Sequence, residues 1–542
     1  MSDINGQDLL DEIVYDIRKK DLLKARLVLA SLGDIDSKTQ KKVLFELNRA
    51  DDDFTIPLLA GVIANNADLA ASIPLVRETL FSKVLDSPQV LLDLLKQSGE
   101  TLDRAFLAEI AGEIHLENAV PILLEILAME NDLKIIEATI LSLGMIGDAS
   151  ATAAVSEYLY AGTRDVVITS VRTLGALGTP SAIQHLADRL GGDSDVDLMI
   201  VDIFATVQIP EALEKLNDTL ASPYAHVRTA GKQKLRAVGV TAVRVLIRNL
   251  THDNTDLVIH SLNVLGDIGA EAAIRKLLHN EPEDPNVRFA AYETLGRLPL
   301  QKGAFVLAAG LEDPDDNVQA AAASAINRNY DTALAAGMKN MIRSGDAEAV
   351  RIIQTIIDAQ CDNIFLGLLG EDFFQKPALE YLADKAHPDI RSRFAEVLEK
   401  KGHDDLAKQI ASDSKPEAGA KLKVFAVDDS KMILSIYRSM LHNLGCDPQL
   451  FEFPAGALER LRKEKPDVIL TDLNMPEITG IDFTRGVRQL YGKEELPVIM
   501  VTTQNEAQDN EAACAAGVNA ILHKPFTEEQ IAKALTDATE KK

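Results

Sequence analysis

With 542 residues the chain exceeds what one hydrophobic core usually spans, so at least two domains are expected. Apolar residues make up 46% and charged residues 26%, but aromatics only 5% with no Trp, which suits helical arrays and disfavours aromatic-rich β-sandwiches. The net charge of −27 repels phosphate backbones and anionic lipid heads, so neither nucleic acid nor a membrane surface is an expected partner.

The acidity is uneven. Residues 421–542 hold 15 Lys and Arg against 19 Asp and Glu, so nearly all of the excess lies in the first 420 residues. The three cysteines, Cys361, Cys446 and Cys514, are odd in number and lack metal-ligand spacing, which fits a reducing cytoplasmic setting. No apolar run approaches the length of a membrane-spanning helix. The acidic start MSDINGQDLLDEI does not read as a secretory leader.

In chain order, residues 1–100 read as helical, as in Leu9–Ile17 and Ile73–Leu85, without a clear period. They suit worn repeats or a terminal cap. From about residue 101 to 410 a Leu-Gly pair recurs at Leu143-Gly144, Leu174-Gly175, Leu265-Gly266 and Leu295-Gly296, at intervals of 31, 91 and 30. The missing steps fall at Phe204-Ala205 and Leu235-Arg236, an earlier copy at Ala111-Gly112 and a worn one at Ile326-Asn327. A period of this size signals a solenoid. Each unit predicts two helices. Triplets such as Ile136/Ile140/Leu143, Val167/Val171/Leu174 and Val258/Leu262/Leu265 line one face of the first. The Gly after the Leu suits a tight turn between the helices. Unit starts carry N-cap and first-turn signals, as in Asp284-Pro285-Asn286, Asp313-Pro314-Asp315 and Pro388-Asp389.

On the stretches Asp284–Leu298 and Arg164–Gly178 the array resembles short HEAT repeats, the type also found in phycobilin lyases. That resemblance implies an all-α solenoid with a concave surface for a protein partner the sequence does not name. A bilin-lyase-like small-ligand role is a competing reading, but no cluster of His, Cys or Arg supports it. Residues 411–420, ASDSKPEAGA, read as a flexible linker.

After the linker the pattern changes. Apolar runs at Val424–Val427, Val468–Thr471, Val498–Thr502 and Ala520–Leu522, with another near Gln449–Phe453, alternate with helical segments. This predicts a flavodoxin-like, doubly wound α/β domain over residues 421–542, a five-stranded parallel sheet covered on both faces. Sites in such sheets lie at the carboxyl ends of the strands. There the sequence places Asp428-Asp429, Asp472, Thr502-Thr503 and Lys524-Pro525, with gaps of 43, 30 and 22 residues from Asp429 onward. Three carboxylates at one rim invite a hard divalent cation such as Mg2+, and one of them can then act as a nucleophile toward phosphorus. The metal and a lysine would neutralise charge on the transferring oxygens.

This segment is similar along its length to response-regulator receiver domains, particularly the single-domain chemotaxis regulator. The resemblance implies that Asp472 accepts a phosphoryl group from a histidine kinase in a two-component phosphorelay. It assigns Mg2+ to Asp428, Asp429, Asp472 and the Asn474 carbonyl. It gives phosphoryl binding to Thr502, Thr503 and Lys524, and a cis peptide to Pro525. Met475-Pro476 and Gly480 match the turn after the acceptor strand. Two positions depart or vary: Ile521 stands where the family often has an aromatic residue coupled to the Thr, and Gln504 is one of the positions that tune phosphate lifetime. The expected function is a response regulator whose phosphorylation controls a protein interaction through the array or a receiver face, with a phosphate sink as an alternative. No enzymatic activity beyond Mg-dependent self-phosphorylation and self-dephosphorylation is expected.

Overall fold

The computed structural model describes residues 6–97, 103–207, 209–299, 305–386, 388–410, 421–429, 431–473, 475, 478–502, 507–524 and 526–539. The linker 411–420 therefore lies outside the described residues. The chain separates into two compact units, Met1–Leu216 and Asn217–Lys542.

In the first unit, helices follow one another across short turns, from Gly6–Lys19 through Pro74–Asp86 and Leu133–Ile146 to Ser194–Val207. The helical segments expected at Leu9–Ile17 and Ile73–Leu85 thus fall in Gly6–Lys19 and Pro74–Asp86, so the unperiodic N-terminal region is helical too. Polar caps start the helices. Asp36 accepts from the Lys38 and Thr39 amides, and Asp132 from Lys134 at 2.8 Å. The predicted triplets Ile136/Ile140/Leu143 and Val167/Val171/Leu174 are buried.

The Leu-Gly glycines have a different job from the one expected. Gly144 and Gly175 lie inside the helices Leu133–Ile146 and Arg164–Leu177, which end three residues later on Gly147 and Gly178 at positive φ (80° and 55°). These second glycines make the left-handed turn. Gly175 permits close helix packing instead: a Cβ there would stand 2.8 Å from Ile203 Cδ1 in the next repeat. The 30-residue period is therefore set by a contact between successive repeats as well as by a turn.

The second unit continues the pattern through Thr255–Ile268, Pro285–Arg297, Asp316–Arg328, Ala347–Asp358, Asp372–Asp384 and Pro388–Lys400. Asp284 caps its helix with Pro285 in the first turn, as the sequence suggests. At Asp313-Pro314-Asp315 the cap is Asp315, while Asp313 is buried and pairs with Arg288 Nε at 2.7 Å. A buried polar chain also ties repeats together: Asn217 Nδ2 donates to Asn249 Oδ1 (3.1 Å), and Asn249 Nδ2 to Ser261 Oγ (2.8 Å).

The C-terminal part of this unit is a five-stranded parallel sheet, β1 Lys423–Val427, β2 Asp447–Phe451, β3 Val468–Asp472, β4 Val498–Thr502 and β5 Ala520–His523. The strand order is β2-β1-β3-β4-β5. Strand β2 starts and ends two residues earlier than the expected Gln449–Phe453. Phe453 caps the helix Pro454–Leu461, whose first position is proline, so the strand must already have ended. Pro448 is tolerated because β2 is an edge strand. β3 and β4 are buried along their whole length, which is why they read as unbroken apolar runs. One face packs Phe425, Ile469, Phe483 and Val498; the other packs Leu473, Met500 and Val518 with Ile521. Among the described residues no helix is long and apolar enough to cross a membrane.

Candidate functional site

Parallel register brings the strand ends to one rim. Val427 pairs with Thr471, Asp472 with Val501 and Thr502 with His523. The residues just beyond are therefore neighbours although far apart in sequence. Asp428 follows β1, and its amide donates to the Phe451 carbonyl at 3.2 Å. Asp472 ends β3. The Lys524 amide donates to the Thr502 carbonyl at 2.8 Å, tying the end of β5 to that of β4.

Lys524 is the centre of this rim. Its Nζ lies 2.7 Å from Asp428 Oδ2 and 2.7 Å from Asp472 Oδ1. The Asp428 side chain is 1% exposed and that of Asp472 9%. Burial lowers the affinity of the Lys524 amine for its proton, but the charges of Asp428 and Asp472 outweigh it and hold the group well above the ordinary lysine value. Asp429 keeps an exposed edge. Removal of water around its carboxyl, followed by the charge of Asp472, raises it to about 6. Thr502 is buried at the end of β4, 2% exposed.

The turn after Asp472 is constrained. The Gly480 amide donates to the Leu473 carbonyl at 2.9 Å. A side chain at Gly480 would overlap the Asp472 carbonyl oxygen. Met475 is buried in the core beside this turn. Asn474, Pro476, Thr503, Gln504 and Pro525, including the expected cis peptide, lie outside the described residues.

Two residues at the site were not singled out from the sequence. Tyr437, on the first helix of the domain, Lys431–Asn443, is fully buried, and its ring stacks on Phe526 at 5.4 Å and 3°. Burial pushes its phenol well above the usual value, with Lys524, Asp428 and Asp472 close enough to act on it. Its hydroxyl has no hydrogen-bond partner among the described residues. A Tyr on the apolar face of a helix eight residues after Asp429 was the available signal. Ile521, by contrast, packs beside the core of the second sheet face, as an aliphatic residue should.

The donor set suits a hard cation in its chemistry. Asp428, Asp429 and Asp472 supply only oxygen, the donor type a hard divalent cation takes. Even so, among the described residues no three of His, Cys, Asp and Glu stand close enough to hold a metal ion. In this arrangement the Lys524 ammonium bridges two of the carboxylates.

Known proteins match both parts of the chain. The response regulator receiver domain family matches residues 424–536, and the HEAT repeats family residues 243–327. A chemotaxis protein CheY homolog of Campylobacter jejuni subsp. jejuni (strain 81-176) is 37% identical over 118 residues, 21% of this chain and 91% of that protein. The aerobic respiration control sensor protein ArcB of Escherichia coli (strain K12) is 30% identical over 106 residues, 20% of this chain and 14% of that protein. Chemotaxis protein CheY4 of Vibrio cholerae is 33% identical in its crystal structure, over 22% of this chain and 99% of that one, with a TM-score of 0.21.

Proposed function

This chain belongs to the response-regulator receiver family through residues 424–536, and on that premise we propose that Asp472 is its phosphoacceptor in a two-component system. The observation that carries the proposal is the pair of 2.7 Å contacts from Lys524 to Asp428 and Asp472 at the ends of the strands. The phosphoryl donor is a histidine kinase, an assignment supported by the similarity to the sensor protein ArcB.

In the proposed reaction a carboxylate oxygen of Asp472 attacks the phosphorus of a phosphohistidine. The O–P bond forms as the P–N bond breaks, and the released imidazole nitrogen takes up a proton. In this reading Lys524 shifts its ammonium from the Asp472 oxygen to a phosphoryl oxygen, and the Thr502 hydroxyl, on the neighbouring strand, donates to another. Thr503 is assigned to the same group. Asp428, Asp429, Asp472 and the Asn474 carbonyl would hold Mg2+, which when bound neutralises charge on the transferring oxygens. Gly480 keeps the acceptor strand end in place. The aspartyl phosphate is a mixed anhydride and hydrolyses, which makes the mark reversible, and the chemistry stops at this self-phosphorylation and self-dephosphorylation. The phosphorylation state then governs a protein interaction through the repeat array or a receiver face. The free thiols Cys361, Cys446 and Cys514 support a cytoplasmic location.

The test is incubation with acetyl phosphate and Mg2+ followed by a phosphate-affinity gel. Wild type should shift and Asp472→Asn should not. An equal shift in both, or none in either, rejects the assignment.

A further inference from the structure

The first receiver helix, Lys431–Asn443, is not free of the array. It packs against the repeat helices Asp316–Arg328 and Ala347–Asp358. On the array side Ala320 and Gln354 line a cleft of about 250 Å3 whose other wall holds Ile436 and Met440. A second cleft of about 450 Å3 flanks the seam, with Arg328 and Arg393 on the array and Arg438 on the receiver helix. The charge pattern is mixed. The helix Lys431–Asn443 contains Lys431, Arg438 and His442 and no carboxylate; the array brings Asp316 and Asp358 together with Arg351 to the first cleft, and Arg328 and Arg393 to the second.

Two contacts connect this seam to the rim around Asp472. Asn317 Nδ2 donates to the carbonyl of Phe526 at 3.4 Å. Phe526 lies two residues past Lys524, and its ring stacks on Tyr437 of the docked helix. The segment that follows Lys524 is thus held jointly by the array and by the receiver helix that the array supports.

We propose that the array segment Asp316–Asp358 is a docking surface for the receiver's own first helix, and that phosphorylation of Asp472 weakens this docking. The second half rests on the phosphoacceptor assignment above. Two physical effects set its direction. An acyl phosphate carries roughly −1.5 to −2 charge where the Asp472 carboxylate carried −1, so phosphorylation adds up to about one negative charge next to an acidic array. It also draws the Lys524 ammonium away from Asp428 and Asp472, which disturbs the segment Asn317 anchors. By linkage, loosening the seam must strengthen the binding of a phosphoryl mimic at Asp472 by the same factor.

The experiment uses the full chain and two substitutions away from the rim. Ala320→Arg forces a long cation into the seam, and Asn317→Ala removes a single hydrogen bond and guards against misfolding of the first variant. Hydrogen exchange of Lys431–Asn443 is measured without additive, and the apparent affinity for beryllofluoride with Mg2+ is then measured by fluorine NMR. Faster exchange in Ala320→Arg is expected, together with beryllofluoride binding at least about 5-fold tighter, the lower end of ordinary coupling, and a smaller change of the same sign in Asn317→Ala. Unchanged exchange in both variants overturns the docking surface. Faster exchange with equal beryllofluoride affinity overturns its coupling to Asp472. Failure of beryllofluoride to bind any of the three proteins overturns the phosphoacceptor assignment and the coupling with it, leaving the docking result to be read from exchange alone.

Discussion

Lys524 compensates two carboxylates that would otherwise be buried side by side. Removing one member of a buried ionic cluster typically costs roughly 3–5 kcal/mol, because the remaining charge is left uncompensated. Lys524→Ala should therefore lower the receiver's unfolding free energy by about that amount, and Mg2+ should restore part of it. Denaturant unfolding with and without Mg2+ measures both; a loss below about 1 kcal/mol would contradict this account. Asp358 provides a second residue-scale test, in the array. Burial raises its carboxyl to about 6, although it accepts a hydrogen bond from Tyr381 at 2.7 Å. A pKa raised on folding favours the folded state most at low pH, and the benefit is lost as pH climbs from about 4 through about 6. Asp358→Asn should be near neutral at pH 4 and stabilising at pH 7.5, by roughly 1–3 kcal/mol. Equal effects at both pH values would show that the ionised carboxylate is not the cost. Residues such as Asp472 and Lys524 were legible in the sequence because chemistry-bearing side chains stand at strand ends. Tyr437, on an apolar helix face, and Phe526, in the connection after β5, were not, because a buried aromatic residue looks the same in sequence whether it packs in a core or against a reactive group.

At the scale of the element, glycine has two distinct uses in the repeats. Gly175 and Gly296 sit where the next helix presses in; a Cβ on Gly296 would be 2.9 Å from the Ala325 Cα. Gly147, at φ 80°, faces open space but has a backbone that side chains resist. Gly296→Val should therefore cost more than Gly147→Ala: roughly 1–3 kcal/mol or more for overpacking against roughly 1 for the left-handed conformation. Thermal unfolding of the two variants decides it, and a reversed order would refute the close-packing role. The helix period and strand alternation were plain from sequence, since burial imposes them locally. The edge of β2 was not, because Pro454 starts a helix where the apolar run alone still permits strand.

For the whole molecule, the matched families account for its two kinds of architecture, HEAT repeats over 243–327 and a receiver over 424–536. A ligand of the folded receiver should stabilise that part selectively. Beryllofluoride with Mg2+, at about 100 times its dissociation constant, should add roughly 2.7 kcal/mol to receiver unfolding. Calorimetry should show no such gain in Asp472→Asn, and an equal gain there would place the ligand elsewhere.

The sequence by itself determined the solenoid, the α/β domain after residue 420 and the identity of its acidic rim, since all three are written in periodicity and in residues at strand ends. Tertiary structure decided the rest. It showed Lys524 bridging Asp428 and Asp472, Tyr437 stacked behind them, the Leu-Gly glycines pressed against the next repeat, and the receiver's first helix seated on Asp316–Arg328 and Ala347–Asp358. Each of these is a contact between residues distant in the chain or between surfaces. No local pattern encodes them, because their energy arises only when separate elements exclude water from the same place.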